Sequence, residues 1–411
     1  MQKFEKHSPV VVTEVTTKHE LRQFMQYPNR LYADNPNYIP SFYGDDLSDW
    51  TPGKNPAFDY CEARCWLAWR DGEIVGRIGA ILSHKANDKF GTHRMRFSQV
   101  DFVDDSEVSA ALFGTVERWA RQKGCDQVHG PLGFTDMDRE GMLVEGFDRR
   151  SLFITNYNAP YYPEHLTRLG YRKDVDWIEY RISVPAPGGA EAERLHKLSE
   201  FILKRKHLHV ATLHHKSEYG PFVRQVFELV NAAYAPLYGV VELSDEQIER
   251  YANKFIPLVD PDFVCFVLDE QDKLVAFGVT TLDPSPALKH SDGRLFPFGW
   301  AEVLNDLHHG DTLIMLLTAV RPDLQTEGIN AVMMDHVCQS CNRHGVQFAE
   351  TGPMLELNDH ILAQWKRLEK EQHKRRRCFI KDLDHGINAA NAAAAAQAEA
   401  PEAAPAAESA E

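Results

Sequence analysis

The sequence predicts an α/β (α+β) protein of two similar domains, each a mixed twisted sheet flanked by helices, followed by a disordered C-terminal tail. Three observations carry this. The same order of strands and amphipathic helices occurs twice, and a break rich in proline and glycine, Pro185-Ala186-Pro187-Gly188-Gly189-Ala190, divides the chain near its middle. From Asn388 onward the chain is almost entirely Ala, Glu, Pro and Gln, with too few large apolar groups to build a core. The expected units are a first domain at 1–185, a linker at 186–195, a second domain at 196–385 and a tail at 386–411.

In the first half, residues 65–70 and 73–82 read as a hairpin turned at Asp71-Gly72, a dipeptide that supplies the left-handed backbone of a tight turn. A strand at 96–102 follows. The next helix carries Val108, Ala111, Leu112, Thr115, Val116 and Trp119 on one face. A strand at 126–129 and a helix at 163–169 complete the unit. In the second half, residues 263–268 and 273–282 repeat the hairpin around 269–272. A strand at 313–320, a helix, a strand at 346–351 and a helix at 359–368 then follow. A tandem duplication accounts for the shared order.

Composition narrows the class. The 411 residues suffice for two cores, and no apolar run reaches the length of a membrane span. The N-terminus lacks a signal-peptide core, so a cytoplasmic protein is expected. Seven cysteines at irregular spacing argue against a disulfide framework. A formal charge of −15 makes a nucleic-acid partner unlikely to be held by electrostatics.

Chemistry is signalled first by residues 313–330: an apolar strand, then Arg321-Pro322-Asp323-Leu324-Gln325-Thr326-Glu327-Gly328-Ile329-Asn330, then a helix. Such a loop presents unpaired N–H groups and the positive end of the helix dipole to an anion. The corresponding place in the first half, Asp104-Asp105-Ser106-Glu107, starts a helix well but sets carboxylates where a diphosphate would sit. Only the second half is therefore expected to bind a phosphorylated molecule.

The loop resembles the acyl-CoA pyrophosphate loop of the GNAT acyltransferase superfamily, with Gln325 and Gly328 matching its pattern and Glu327 and Asn330 departing from it. Glu356-Leu357-Asn358 resembles the superfamily's second CoA motif. Across nearly the whole chain the likeness is to bacterial double-GNAT proteins, carried by Asn55-Pro56-Ala57-Phe58, residues 75–81, Gly130-Pro131, residues 141–148, residues 157–162 and residues 293–300. The resemblance implies an acyl-CoA donor held by Leu317, Ala319, Val320, Gln325, Thr326, Gly328, Ile329, Asn330 and Asn358. It also implies an amine acceptor, with a long-chain sphingoid-type amine as one candidate.

Acyl transfer to an amine needs a base, because an alkylamine is mostly protonated at neutral pH. Glu350, on the strand at 346–351, and Glu356 are the candidates. The superfamily's tyrosine acid is replaced by Trp365, so Tyr157, Tyr161 or Tyr162 would have to serve, and Tyr161 stands for them as the third catalytic candidate. The block 130–162 mixes glycines with polar groups, and Asp136, Glu140, Asn156, Tyr157 and Asn158 are candidates for the acceptor side. Phe298 and Trp300 lie in an aromatic insertion that either lines an acyl or lipid tunnel or caps the sheet.

No metal is expected: Cys338 and Cys341 stand with Met334 at helical spacing, and the His214-His215 and His308-His309 pairs lack partner ligands. The basic cluster from Lys366 to Arg377 reads as a solvated helix end, with CoA phosphate or an anionic membrane surface as alternatives. Peripheral contact at the inner membrane face follows as an option for a lipid acceptor. Two other readings stay open, a non-catalytic acyl-CoA or lipid binder and an aminoacyl-tRNA-dependent transferase.

Overall fold

The computed structural model describes residues 8–383; the tail at 386–411 lies outside the described residues. In the first half the order is β1 (Val11–Glu14), α1 (Lys18–Leu31), α2 (Tyr43–Asp49), β2 (Cys61–Arg70), β3 (Glu73–Ser83), α3 (His84–Phe90), β4 (Arg94–Phe102), α4 (Ser106–Gln122), β5 (Gln127–Gly130), β6 (Met142–Glu145), α5 (Tyr161–Arg168) and β7 (Arg172–Ser183). The second half runs α6 (Ala190–Lys206), β8 (His209–Val210), α7 (Gly220–Tyr234), α8 (Asp245–Phe255), β9 (Val264–Leu268), β10 (Leu274–Leu282), α9 (Ser285–His290), α10 (Gly299–His309) and β11 (Thr312–Val320). It closes with α11 (Asn330–His344), β12 (Phe348–Thr351), β13 (Met354–Leu355), α12 (Asp359–Gln364) and β14 (Lys370–Asp382).

The two hairpins form as their turn residues require, with Asp71 and Gly72 both at positive φ and Asp272 likewise in the second turn. Helix α4 starts at Asp105, whose side chain accepts from the N–H groups of Glu107 and Val108, and buries Val108, Leu112, Val116 and Trp119. Helix α6 begins at Ala190, inside the stretch expected to be linker, with Glu191 and Glu193 favouring its first turn.

The strands join in one sheet along the path β1-β2-β3-β4-β5-β14-β7-β12-β11-β10-β9-β8. Its middle is an exchange: β14, from the end of the second half, lies between β5 and β7 of the first, and β7 pairs with β12 of the second. A cut at the linker therefore leaves each half without a strand that the other holds.

The basic cluster is consequently not a solvated helix end. Helix α12 stops at Gln364, and residues 370–377 lie on β14, where Lys374 and Arg376 are fully buried. The cause is charge matching across the exchange: Lys374 stands opposite Glu179 and Arg377 opposite Asp176 on β7. Glu179 receives Arg376 and Lys374, and Asp176 receives Arg375, Arg377 and Lys173. Burial works to raise the Glu179 pKa, yet these cations hold it below the ordinary carboxylate range.

Separate cores lie on the two halves. One packs α4 and α5 on β2–β5, with Phe97, Phe102, Phe113 and Tyr162 among its buried members. Another packs α7 and α8 on β9–β11 through Phe227, Val230, Tyr251, Phe266 and Phe277. The α7–α8 unit also meets the first half: Arg250 binds Asp49 at 2.5 Å, Gln247 donates to the Tyr60 hydroxyl at 2.9 Å, and Lys89 donates to the carbonyls of Ala235 and Val240 at 2.8 Å.

Candidate active site

Strand β11 is parallel to β12 only from Thr312 to Met315. Its register with β10 slips by one residue at Leu316, since Leu317 opposes Val279 while Met315 opposes Thr280. A bulge at this point twists the strand away from its neighbour. Where the pairing ends, two cavities open, one of about 250 Å³ and one of about 170 Å³, and they share Tyr234, Val279, Leu316, Leu317, Gly352 and Pro353.

The larger cavity lies between the halves. The second half supplies its apolar walls from α7 (Val223, Val226, Phe227), α8 (Tyr251, Ala252, Phe255) and β9 (Val264, Phe266). From the first half one loop contributes Asp136, Met137, Asp138 and Glu140, and Ile154 and Trp177 add apolar surface. That loop folds tightly on a bare glycine, for a Cβ on Gly133 would lie 2.2 Å from that of Asp138. Asp138 is consumed in holding it, accepting from the N–H groups of Phe134 at 2.8 Å and Thr135 at 3.2 Å and from the Tyr251 hydroxyl at 3.3 Å.

Asp136 and Glu140 differ from it. Among the described residues neither carboxyl has a hydrogen bond to another side chain or an ion-pair partner. Burial raises the Asp136 pKa to about 6. Burial, followed by the nearby Asp136 charge, pushes Glu140 well above the ordinary carboxylate range. With its pKa near 6, the Asp136 carboxylate can accept a proton near neutral pH.

Tyr234, the last residue of α7, stands where the cavities meet and donates its hydroxyl to the Thr318 carbonyl at 2.7 Å. Burial pushes its pKa up, so it carries its proton throughout the neutral range. No sequence motif marks it, because its position depends on how α7 crosses β11.

The smaller cavity runs beneath α11 and is lined by Met333, Met334, Cys338, Trp365 and Asn330. At the start of that helix the N–H groups of Gly328, Ile329 and Asn330 donate to no acceptor among the described residues. Gly328 has φ +83°, and a Cβ there would press on Ile202 at 3.2 Å. Glu327 is paired with Lys206, whose hydrogen bond lowers its pKa, so the loop's acidic side chain is neutralised by α6. These donors fit a diphosphate. Leu317 lines both cavities and Asn330 the smaller one; Ala319, Val320 and Ile329 are buried beside them. The Gln325 amide donates to the Val320 carbonyl at 3.3 Å, Thr326 lies in the turn, and the Asn358 side chain caps α12 at Ile361.

Other expected site residues are elsewhere. Glu350 binds Lys374 at 3.3 Å and lies 3.8 Å from His373, and Glu356 is held by Lys173 and by Arg375 at 3.0 Å. Neither lines either of these two cavities, because β14 draws both carboxylates to its cations. Tyr161 donates to the Phe102 carbonyl, Tyr162 shares a hydrogen bond with Tyr32, and Tyr157 accepts from Asn35, all within the first-half core region. Asn158 clasps the backbone of Leu143, and the Asn156 carbonyl accepts from Arg376. Phe298 and Trp300 are 75% and 48% exposed, so they line no tunnel; with Phe296 they form an outward apolar tip at α10. Trp365 is buried against Met354.

Cys338 and Cys341 pack against α11's apolar neighbours. His129, Asp174 and Cys378 approach one another, but the Tyr238 hydroxyl sits among them, 2.9 Å from His129 and 2.5 Å from Asp174.

A tandem GNAT protein from the clavulanic acid biosynthesis pathway superposes with a TM-score of 0.51 at 13% identity, covering 91% of this chain and 99% of that one. The chain has the tandem GNAT fold. No protein-family model matches it. Protein YghO of Escherichia coli (strain K12) is 27% identical over 383 residues, 91% of this chain and 95% of that protein. The bacterial ceramide synthase of Caulobacter vibrioides (strain NA1000 / CB15N) is 28% identical over 299 residues, 71% of this chain and 75% of that protein.

Proposed function

We propose that this tandem GNAT protein transfers an acyl group from a CoA thioester to an amine. The observation that supports it best is the junction at Leu316–Leu317, where the cavity below the helix start with free N–H donors meets a cavity bearing three carboxyls of raised pKa, of which Asp136 and Glu140 lack side-chain partners among the described residues. Gly328, Ile329 and Asn330 would hold the donor's diphosphate through their N–H groups, and Leu317 with Met333 would flank its arm.

Asp136 or Glu140 takes a proton from the ammonium form of the acceptor. The freed nitrogen attacks the thioester carbonyl, and the C–S bond breaks as the C–N bond is completed. Tyr234 gives its hydroxyl proton to the departing thiolate and is reprotonated by the second proton that the nitrogen loses as the amide forms, while the carboxyl releases the first to solvent. The apolar walls keep water from competing for the acyl group.

The similarity to a ceramide synthase supports a long-chain, sphingoid-type amine as acceptor. Such an acceptor would be met at a membrane, and the exposed Phe296, Phe298 and Trp300 supply a surface for peripheral contact. The test is to incubate the protein with acetyl-CoA or palmitoyl-CoA and a panel of amines that includes sphingoid bases. Amine-dependent thiol release with an amide product of matching mass is expected. Thiol release that is absent, or that no amine stimulates, would instead favour a binding protein without turnover.

A further inference from the structure

We infer that the larger cavity is a hydrocarbon-chain slot that limits the length of a substrate chain; this rests on the acyl-transfer reading for the word substrate, though not for the binding itself. Its volume of about 250 Å³ exceeds the roughly 150 Å³ of an engineered apolar cavity that holds benzene. An acetyl group would leave most of it unfilled.

The walls select the chemistry. Val223, Val226 and Phe227 present one face of α7 to the cavity, and Tyr251, Ala252 and Phe255 one face of α8. Tyr251 and Tyr219 offer their rings and not their hydroxyls: Tyr251 shares its hydroxyl hydrogen bond with Thr135 at 2.6 Å, and Tyr219 donates to the Val259 carbonyl at 3.4 Å. Among the described residues that line the cavity, charged groups come from the loop bearing Asp136, Asp138 and Glu140. A sugar or peptide would find no partners along such walls, and its buried polar groups would go unpaired. An alkyl chain with one polar end matches them. That chain can belong to the donor's acyl group or to the acceptor, and both would reach the shared junction at Leu316.

Val226 lines the slot about two turns of α7 before Tyr234 and carries no polar group, so enlarging it fills the slot without removing a carboxyl or the Tyr234 hydroxyl. The experiment measures the binding of CoA thioesters from two to sixteen carbons and, separately, of linear amines over the same range, to the full chain and to its Val226→Trp and Val226→Ala variants. Affinity in one series should rise by up to about fourfold per methylene until the slot is full, then level off. The plateau should come at shorter chains in Val226→Trp and at longer ones in Val226→Ala, with acetyl-CoA affinity within about twofold of the parent. A trend in the thioester series assigns the slot to the acyl chain, and one in the amine series to the acceptor. Flat series, or plateaus that neither variant moves, would overturn the inference. Val226→Ala keeps the test decisive if the tryptophan variant does not fold. Chain-dependent binding without thiol release would leave the slot standing and remove the transferase reading, whereas thiol release with flat binding would do the reverse.

Discussion

Asp136 and Glu140 face a cavity that solvates a carboxylate poorly, which raises their pKa at the expense of stability and suits the role of base proposed for them. Replacing both, as Asp136→Asn with Glu140→Gln, should lower kcat by about 10²-fold or more while leaving the affinity for CoA within about twofold. In the parent, kcat/KM should rise with pH through about 6, where Asp136 loses its proton, and Asp136→Asn alone should displace that limb. Stability should move the other way. A raised folded-state pKa contributes stability below the unfolded carboxylate value and loses it as pH rises through about 6, so Asp136→Asn should melt above the parent at pH 8 and match it near pH 3. Tyr234→Phe keeps the ring but not the proton. It should reduce kcat by about tenfold or more with little change in KM, the loss being smaller with a thioester of a more acidic thiol.

At the scale of elements, β14 ties the halves together through charges that no single segment explains. Arg376→Ala would leave Glu179 buried without its main partner and should cost about 3–5 kcal/mol of stability, read from denaturant unfolding. His373 on the same strand is held neutral, its pKa lowered to about 3 by burial and then by Lys374. A depressed histidine pKa contributes stability that is present above about 6.5 and lost as pH falls toward 3, so His373→Gln should flatten the drop in Tm between pH 7 and 4. The hairpins, helix α4 and the turn that starts α11 are legible in the sequence because their signals are local: Asp71-Gly72, the Asp105 cap, and Gly328 before a helix. The strand at Lys370–Asp382 is not, since a run of lysines and arginines looks solvated until Asp176 and Glu179, some 195 residues earlier, are placed opposite it. The same blindness affects the site. Glu350 looks like a base on its own strand and becomes a partner of Lys374 once β14 is in place, while Tyr234 has no local signal at all.

In the whole molecule the exchange of β7 and β14 makes the two halves one folding unit and sets the first-half carboxyls against the second-half cleft. Residues 1–187 and 188–411 expressed separately should each be unfolded or aggregated, and co-expression should restore a soluble complex with the parent's circular dichroism. Independent folding of either piece would contradict the exchanged sheet. Acyl transfer across this junction is tested by quantitative mass spectrometry of amide product alongside thiol release, for the parent and for the Asp136→Asn/Glu140→Gln double variant, with an acyl-CoA and a long-chain amine. One amide per thiol is expected in the parent, and near-complete loss of both in a folded double variant that still binds CoA. Amide formation undiminished in that variant, or thiol release without amide in the parent, would contradict it.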